Sequence, residues 1–391
     1  MTDALRMRVG ELPGGVPADR HAGGSGDGDP PRPRPTRTGC IVWSSRSQAI
    51  TGGLQRQIDR LIAEADTLRL KASVVSPPDG GPGNRLGVAQ YRSSLETIAS
   101  QLGTAAILYC ARLYKGLERA QLPALLRIAE QVPVVIRCPT TDDARRLRTA
   151  ALAGALVHPR GQQVTVHCLN LRSAELLRDL GLRPIVQYNT ARPRPQADLA
   201  VASPPAAPSV FYCGRADRSK NLEGLLEAWS LVPTAPTLNL FGPQQLQRFA
   251  SPEHRVAYGG CYQGDPPFRL GDVVVLPSFR EGHANVLVEA FRAGAVVVGS
   301  AVPGIQEHLA DHRGILIGRP LDARSIATAI ASAVTLQADQ RLRLGLRART
   351  YFDGNFASPY SSAIHVMGVV LGPHHPERDA SPRQRLSVEP P

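Results

Sequence analysis

Residues 276–299 read LPSFREGHANVLVEAFRAGAVVVG, and this stretch decides the fold. An apolar run ends at Leu276, and a Pro-Ser loop follows. Apolar residues recur at helical spacing between residues 284 and 293, which predicts a helix there. Gly294 marks the helix end, because glycine adopts a left-handed conformation at little cost. A run of valines, residues 296–298, then predicts the next strand. This order of strand, helix and β-branched strand is typical of a parallel sheet in an α/β protein.

The same alternation extends to both sides of this stretch. In the first half, the predicted strands are residues 40–44, 72–76, 105–110, 132–137 and 163–168, and the predicted helices are residues 54–62, 117–131, 141–153 and 173–180. In the second half, the predicted strands are residues 209–213, 237–241, 272–276 and 296–300, and the predicted helices are residues 221–231, 284–293, 324–334 and 337–351. We therefore expect an α/β protein with two doubly wound, Rossmann-like domains that face a ligand cleft.

The domain boundaries follow from composition. Residues 39–195 form the predicted N-terminal domain, and residues 209–372 form the predicted C-terminal domain. Residues 196–208, rich in Pro and Ala, read as a linker. Residues 1–38 and 373–391 are rich in Gly, Pro and Arg without apolar periodicity, so both are expected to be disordered tails.

Bulk properties restrict the class of protein only loosely. The 391 residues carry a formal net charge of +12, which fits nucleic acid, an anionic membrane surface, an anionic ligand or simply basic tails. The six cysteines are scattered singly, as in a reducing compartment. The N-terminus lacks an apolar signal core and no apolar run is long enough to span a bilayer. We expect a cytoplasmic protein; peripheral contact with the inner membrane face stays open.

Two carboxylates flank the predicted start of the helix in the opening stretch. Glu281 lies on the loop, and Glu289 lies about one turn into the helix. The backbone amides of residues 283–286 are expected to form an anion site there. A carboxylate beside such a site is suited to accept hydrogen bonds from sugar or ribose hydroxyls. Taken alone, the pair reads better as a helix-dipole partner and a surface loop residue than as a binding site.

A second group of candidates lies upstream, in FYCGRADRSKN, residues 211–221. Gly214 ends a predicted strand, and Arg215 and Lys220 follow on one loop. Two fixed cations on one loop can bind a diphosphate and stabilise the charge that grows on it as a sugar leaves. On their own, they read as solvated loop cations.

Together these segments resemble the GT-B glycosyltransferases of family 4 type. In that family, a Pro-Ser loop leads to Glu-x7-Glu, and an upstream strand ends in Gly-Arg with Lys-Asn a few residues later. The segment PGIQE, residues 303–307, resembles the turn that follows. A weaker match is Gly52-Gly53, which resembles the glycine loop of the family's N-terminal domain.

The resemblance implies a glycosyltransferase whose donor is a nucleotide-diphosphate sugar, with retention of anomeric configuration and no metal or other cofactor. It implies a catalytic set of Glu281, Arg215 and Lys220. It implies a donor-binding set of Gly214, Gly282, His283, Ala284, Asn285, Val286, Glu289, Gly52 and Gly53. The acceptor, which the N-terminal domain is expected to bind, stays open among glycan, lipid, protein and metabolite.

Several features depart from the family pattern. His283 and Ala284 replace the usual Phe-Pro, and residues 259–271 are short where the family usually has a helix near the nucleotide base. The first domain offers His158 and His167 for the histidine that the family often supplies, and His167 reads better as a buried, hydrogen-bonded residue. Asn189 reads as a turn residue rather than a ligand. Two alternatives stay open: a GT-B nucleotide-sugar epimerase, and a non-enzymatic basic protein that binds nucleic acid.

Overall fold

The computed structural model describes residues 38–44, 53–75, 95, 98–101, 107–112, 118–150, 164–180, 182–193, 204–232, 236–262, 264–319 and 321–372. The two predicted tails lie outside these residues, except that Thr38 begins the first strand.

Strands and helices alternate along the described chain, as predicted. The strands are β1 (Thr38–Ser44), β2 (Leu70–Val75), β3 (Ile107–Arg112), β4 (Val134–Cys138), β5 (Val164–Cys168), β6 (Arg183–Val186), β7 (Val210–Cys213), β8 (Leu238–Phe241), β9 (Val256–Gly260), β10 (Val273–Leu276), β11 (Val296–Ser300) and β12 (Gly314–Ile317). The helices with bounds in these ranges are α1 (Gly53–Glu64), α2 (Glu118–Ala129), α3 (Thr141–Ala150), α4 (Leu171–Leu177), α5 (Leu222–Ser230), α6 (Asn285–Ala293), α7 (Gln306–Leu309), α8 (Ala323–Val334), α9 (Ala338–Asn355) and α10 (Ser362–Leu371).

The strands form two six-stranded sheets. The first has the order β2-β1-β3-β4-β5-β6, and β1 pairs in parallel with β2 and β3. The second has the order β12-β11-β10-β7-β8-β9, and each of its neighbouring pairs is parallel. The predicted α/β class with doubly wound parallel sheets is confirmed.

The winding of the second sheet reverses between β7 and β10. From β7 the chain moves outward through β8 to β9, and then returns to β10 on the other side of β7. In open parallel sheets, ligands bind outside the carboxyl ends of the strands at such a reversal. The two loops that leave β7 and β10 are therefore placed where a ligand is expected.

The central strands of the second sheet are apolar along their whole length because both faces are covered. The residues of β10 and β11 are all buried, which is the pattern of a parallel strand between two helical layers. Helix α6 covers one face with Leu287, Phe291 and their buried neighbours. It ends at Gly294, whose φ of 73° is left-handed, as the sequence predicted.

Three strands were missed by the sequence analysis, and all three lie at sheet edges. They are β6, β9 and β12. An edge strand is only partly covered, so it lacks the continuous buried run that identifies a central strand. Leu316 in β12, for example, is 41% exposed. Helices α7 and α10 were also not predicted.

The described chain divides into two compact units. One comprises residues 1–137 with 155–165, and the other comprises residues 138–154 with 166–391. The strands of each sheet lie within one predicted domain, but these units cut across the first sheet. The domain boundaries around residues 195 and 209 therefore stay a prediction. Within the described residues, no helix is long and apolar enough to cross a membrane.

A buried arginine holds the end of the predicted linker against the second sheet. Arg341 on α9 is 1% exposed. Its guanidinium donates to the carbonyls of Gly271 at 3.1 Å, Leu336 at 2.5 Å and Ala206 at 3.1 Å, and also to that of Pro205. One side chain thus joins the entry to β7, the entry to β10 and the entry to α9.

We expect Arg341→Ala to lower the free energy of unfolding by about 3 kcal/mol, because it leaves several buried carbonyls without a donor. Arg343→Ala is the matched control on the same helix, since Arg343 is exposed and pairs only with Asp339 in the described structure; its effect should stay within about 0.5 kcal/mol. Urea denaturation measures both. Equal losses in the two variants would contradict the role of Arg341.

Candidate functional site

The loops after β7 and β10 lie side by side at the reversal of the second sheet. The backbone amide of Phe279 donates to the carbonyl of Ser219 at 2.9 Å. The loop after β7 includes a short 3-10 helix, Arg218–Lys220, which places Ser219 and Lys220 against the second loop. Two segments 60 residues apart in sequence therefore form one surface.

An ion pair joins the two loops at this surface. Lys220 Nζ lies 2.5 Å from Glu281 Oε1, and Ser278 Oγ donates to the same oxygen at 2.9 Å. The side chain of Glu281 is only 9% exposed and that of Lys220 is 25% exposed. Ser278 is itself fixed, because Ser300 Oγ donates to its carbonyl at 2.5 Å. The structure thus brings two of the predicted catalytic residues into direct contact.

The third predicted cation, Arg215, has a different partner. Arg215 Nη2 lies 2.8 Å from Asp217 Oδ2, and Asp217 also accepts from the amide of Ser219 at 3.0 Å. Tyr212, buried in β7, donates from its hydroxyl to the Arg215 carbonyl at 2.7 Å. Gly214 lies between them, and its amide donates to the carbonyl of Phe241 at 2.9 Å. The loop is therefore held at several points before any ligand arrives.

The charge of Asp217 depends on this loop. Partial burial raises the pKa of Asp217, but hydrogen bonds from Ser219 and the charges of Arg215 and Lys220 outweigh it, so the pKa lies below its ordinary value. Asp217 was not among the residues singled out from the sequence. Its position between two candidate cations was the available signal.

The second predicted acid, Glu289, lies on α6, one turn after the helix begins at Asn285. The hydroxyl of Tyr262 donates to Glu289 Oε2. Tyr262 follows β9, in the segment where the sequence departs from the family, and the described residues of that segment form no helix. Nothing in the sequence indicated that this tyrosine reaches Glu289, since the two residues are 27 positions apart.

Gly282 fits only because it has no side chain. A Cβ at this position would lie 1.4 Å from the carbonyl oxygen of Pro139, in the loop after β4. Gly304, with a φ of +82°, approaches from the other side, and a Cβ there would lie 1.9 Å from the Gly282 carbonyl. That carbonyl accepts from Asn170 Nδ2 at 3.0 Å. Three further loops thus close around the middle of the site loop.

His283 is buried and anchors the loop by two hydrogen bonds that it accepts from Asn189. The amide of Asn189 donates to His283 Nδ1 at 3.0 Å, and Asn189 Nδ2 donates to the His283 carbonyl at 2.9 Å. The imidazole packs against the rings of Tyr188 and Phe356, with centroids 5.1 and 4.9 Å away. Asn189 was predicted as a turn residue; the structure adds that its side chain positions the site loop.

The other predicted donor-binding residues occupy the start of α6 and the first unit. Ala284 is the N-cap of α6, and its side chain makes no capping hydrogen bond. Asn285 and Val286 are the first helical residues, and both are partly exposed. Gly53 is the first residue of α1, whereas Gly52 lies outside the described residues.

The two histidines of the first half have different outcomes. His167 is fully buried and its Nε2 lies 2.9 Å from the Gln187 carbonyl. The prediction of a buried, hydrogen-bonded histidine is therefore confirmed. His158 lies outside the described residues.

Comparison with a family model concerns the part of the chain that carries this site. Residues 207–335 match the model of the family described as "Glycosyl transferases group 1". No curated protein matches the chain significantly.

Solved structures resemble the chain over most of its length. Sucrose-phosphate synthase from Thermosynechococcus elongatus is 16% identical with a TM-score of 0.61, and the match covers 82% of this chain and 95% of that one. HepE from Anabaena, in complex with UDP-glucose, is 17% identical with a TM-score of 0.58, over 81% and 95%. WaaG, a glycosyltransferase involved in lipopolysaccharide biosynthesis, is 16% identical with a TM-score of 0.56, over 85% and 100%. At such identities the likeness establishes the fold, and the predicted GT-B class is confirmed.

We expect Gly282→Ala to destabilise the protein by about 2–3 kcal/mol, because the added methyl would overlap the Pro139 carbonyl and force backbone to move. Gly318→Ala is the matched control, since a Cβ at Gly318 meets nothing within 4 Å. Melting temperatures and urea denaturation measure the difference. A tolerated alanine at position 282 would show that the loop does not have the close packing described.

We expect Asp217→Asn to change how stability depends on pH. Because the folded pKa of Asp217 is lowered, its contribution is fully present above the unfolded value of about 3.9 and is lost as pH falls through the folded pKa. Asparagine keeps an oxygen that can accept from Ser219 but cannot ionise. Urea denaturation of both proteins between pH 7 and 3 should show the wild-type advantage shrinking below about pH 4. A difference that stays constant to pH 3 would contradict this.

Proposed function

We propose that the chain is a glycosyltransferase that moves a sugar from a nucleotide-diphosphate sugar to an acceptor, with retention of configuration and without a metal ion. The observation that carries the proposal is the ion pair between Lys220 and Glu281, which joins the loops after β7 and β10. These loops lie at the carboxyl ends of the strands, where the strand order of the second sheet reverses. In open α/β sheets this edge is where nucleotides bind. The family match over residues 207–335 supports the assignment, because it includes both loops.

The diphosphate is assigned to the two cations of the first loop. Arg215 is 44% exposed at its side chain, so a phosphate can reach its guanidinium. Lys220 lies on the same loop and faces Glu281. Both cations are held by the loop before the donor arrives, so they can offset the charge that develops on the leaving diphosphate without reorganising. In other transferases a divalent ion supplies this compensation. Metal independence is proposed on this basis.

The sugar is assigned to Glu281 and to the start of α6. Glu281 is fixed by Lys220 and Ser278, so its carboxylate has a defined orientation toward any hydroxyl that approaches it. The first amides of a helix attract negative charge, which suits donor groups beside Gly282, His283, Ala284, Asn285 and Val286. Glu289, one turn further along, is assigned to the ribose hydroxyls, because a carboxylate accepts well from a vicinal diol.

The solved structures support the choice of donor class. HepE was crystallised with UDP-glucose, and WaaG is described as a glycosyltransferase. From the Glu281-x7-Glu289 segment we propose a family 4 type enzyme. The acceptor is assigned to the N-terminal domain. A cytoplasmic location with peripheral contact to the inner membrane face is also part of the proposal.

We expect one nucleoside diphosphate among ADP, GDP, UDP, CDP and dTDP to raise the melting temperature, because a ligand that binds only the folded state stabilises it. Lys220→Ala should weaken binding of that diphosphate about 10- to 100-fold through the loss of a charged contact, and should change binding of the uncharged nucleoside far less. Glu289→Gln should weaken both. Fluorimetric melting and calorimetric titration give the affinities.

Arg218→Ala and Glu223→Gln are the matched controls. Arg218 is an exposed cation on the same 3-10 helix as Lys220, and Glu223 is an exposed acid on α5; neither change should alter nucleotide affinity. The corresponding nucleotide sugar is then incubated with acceptor candidates, with and without chelator. Transfer that survives the chelator supports the mechanism. Epimer formation from the donor alone, or no response to any nucleotide, would overturn the proposal.

A further inference from the structure

The segment that follows β9 is fastened to α6 at two points. The hydroxyl of Tyr262 donates to Glu289 Oε2. Three residues later, Asp265 Oδ1 lies 2.5 Å from Nη1 of Arg292, which is three residues after Glu289. Residues three apart on a helix share a face, so this segment runs along the face of α6 that carries Glu289. It therefore borders the site, in the stretch that the sequence analysis marked as departing from the family pattern.

The ring of Tyr262 packs against Phe241, the aromatic residue at the carboxyl end of β8. Its ring lies 6.2 Å from that of Phe241, tilted by 65°. Phe241 in turn lies 6.0 Å from Phe211 in β7. The contact between Tyr262 and Phe241 is edge-to-face, a favoured geometry for aromatic pairs, and it holds the partly buried ring of Tyr262 against the core. Packing of the ring thus places the hydroxyl within hydrogen-bond reach of Glu289. A change from tyrosine to phenylalanine removes the hydroxyl and keeps the ring contact.

A glutamate on a helix has three rotatable side-chain bonds, and ordering it costs free energy. A hydrogen bond from a neutral hydroxyl to a carboxylate is strong enough to select one orientation. With Oε2 held by Tyr262, the carboxylate is presented to a ligand in one direction rather than several. Recognition of the two vicinal hydroxyls of a ribose depends on such a fixed direction, whereas recognition of a single hydroxyl depends on it less.

We propose that Tyr262 is a positioning residue which, by holding Glu289, makes the site select ribonucleoside diphosphates over their 2′-deoxy counterparts. This rests on the proposed function, in which Glu289 binds the ribose. Tyr262 does not itself contact the nucleotide in this proposal. The Asp265–Arg292 pair fastens the same segment about one helical turn further along α6.

The experiment compares affinities for the nucleoside diphosphate that binds best and for its 2′-deoxy analogue, by calorimetric titration. Wild type should prefer the ribonucleotide about tenfold or more, the effect of one hydrogen bond to a charged group. Tyr262→Phe should weaken ribonucleotide binding about fivefold and leave the 2′-deoxy affinity within about twofold, so that the preference largely disappears.

Two controls and one double variant isolate the cause. Asp265→Asn removes the charge of the neighbouring ion pair with Arg292. Tyr258→Phe removes a hydroxyl in β9, which donates to the Gly242 carbonyl at 3.1 Å. Both variants should keep the wild-type preference. Tyr262→Phe combined with Glu289→Gln should show the same preference as Glu289→Gln alone, because Tyr262 acts only through Glu289. A further change of preference in the double variant would show that Tyr262 acts on the nucleotide by a route other than Glu289.

The outcomes separate the inference from the proposed function. A wild type that binds no nucleoside diphosphate overturns both. A wild type that binds, with a Tyr262→Phe variant that keeps its preference, overturns the inference alone. Equal weakening of both nucleotides in Tyr262→Phe also overturns it, since that is what a merely structural tyrosine would produce.

Discussion

The reversal of strand order between β7 and β10 is the constraint from which the candidate site follows. The chain continues from β7 toward one edge of the sheet and from β10 toward the other edge. The connections that leave these two strands therefore diverge, and a crevice opens between them. The two loops are in contact beside this crevice, where the Phe279 amide donates a hydrogen bond to the Ser219 carbonyl. The cations of one loop and the acids of the other become neighbours as a consequence of topology.

Close backbone packing then makes the site loop rigid. A methyl group at Gly282 would overlap the Pro139 carbonyl, and one at Gly304 would overlap the Gly282 carbonyl, which accepts a hydrogen bond from Asn170. His283 adds a buried side chain on the inner side of the loop. Groups that bind or stabilise charge are effective when they are held before the ligand arrives. Glycine at these two positions therefore has a packing reason that is independent of any ligand.

Charge at the site is balanced within the protein. Lys220 pairs with Glu281 and Arg215 pairs with Asp217, so each cation has an acid beside it. A diphosphate that enters must share these cations with the carboxylates. Each acid thus holds its cation in one orientation. Because the pKa of Asp217 is lowered, Asp217 stays ionised beside Arg215 down to acidic pH. Two ion pairs, rather than one dominant charge, therefore organise the site.

Sequence alone determined the alternation of strands and helices, the ends of α6 at Asn285 and Gly294, and the two loops that carry Arg215, Lys220, Glu281 and Glu289. These features depend on local pattern: buried valines, helical spacing and a glycine after a helix. Only the tertiary structure decided that Lys220 touches Glu281, that Asn189 holds His283 and that Tyr262 reaches Glu289. The partners in these contacts lie 61, 94 and 27 positions apart, and no local periodicity encodes which distant side chains meet. The edge strands were decided in the same way, because their burial comes from neighbours that are remote in sequence.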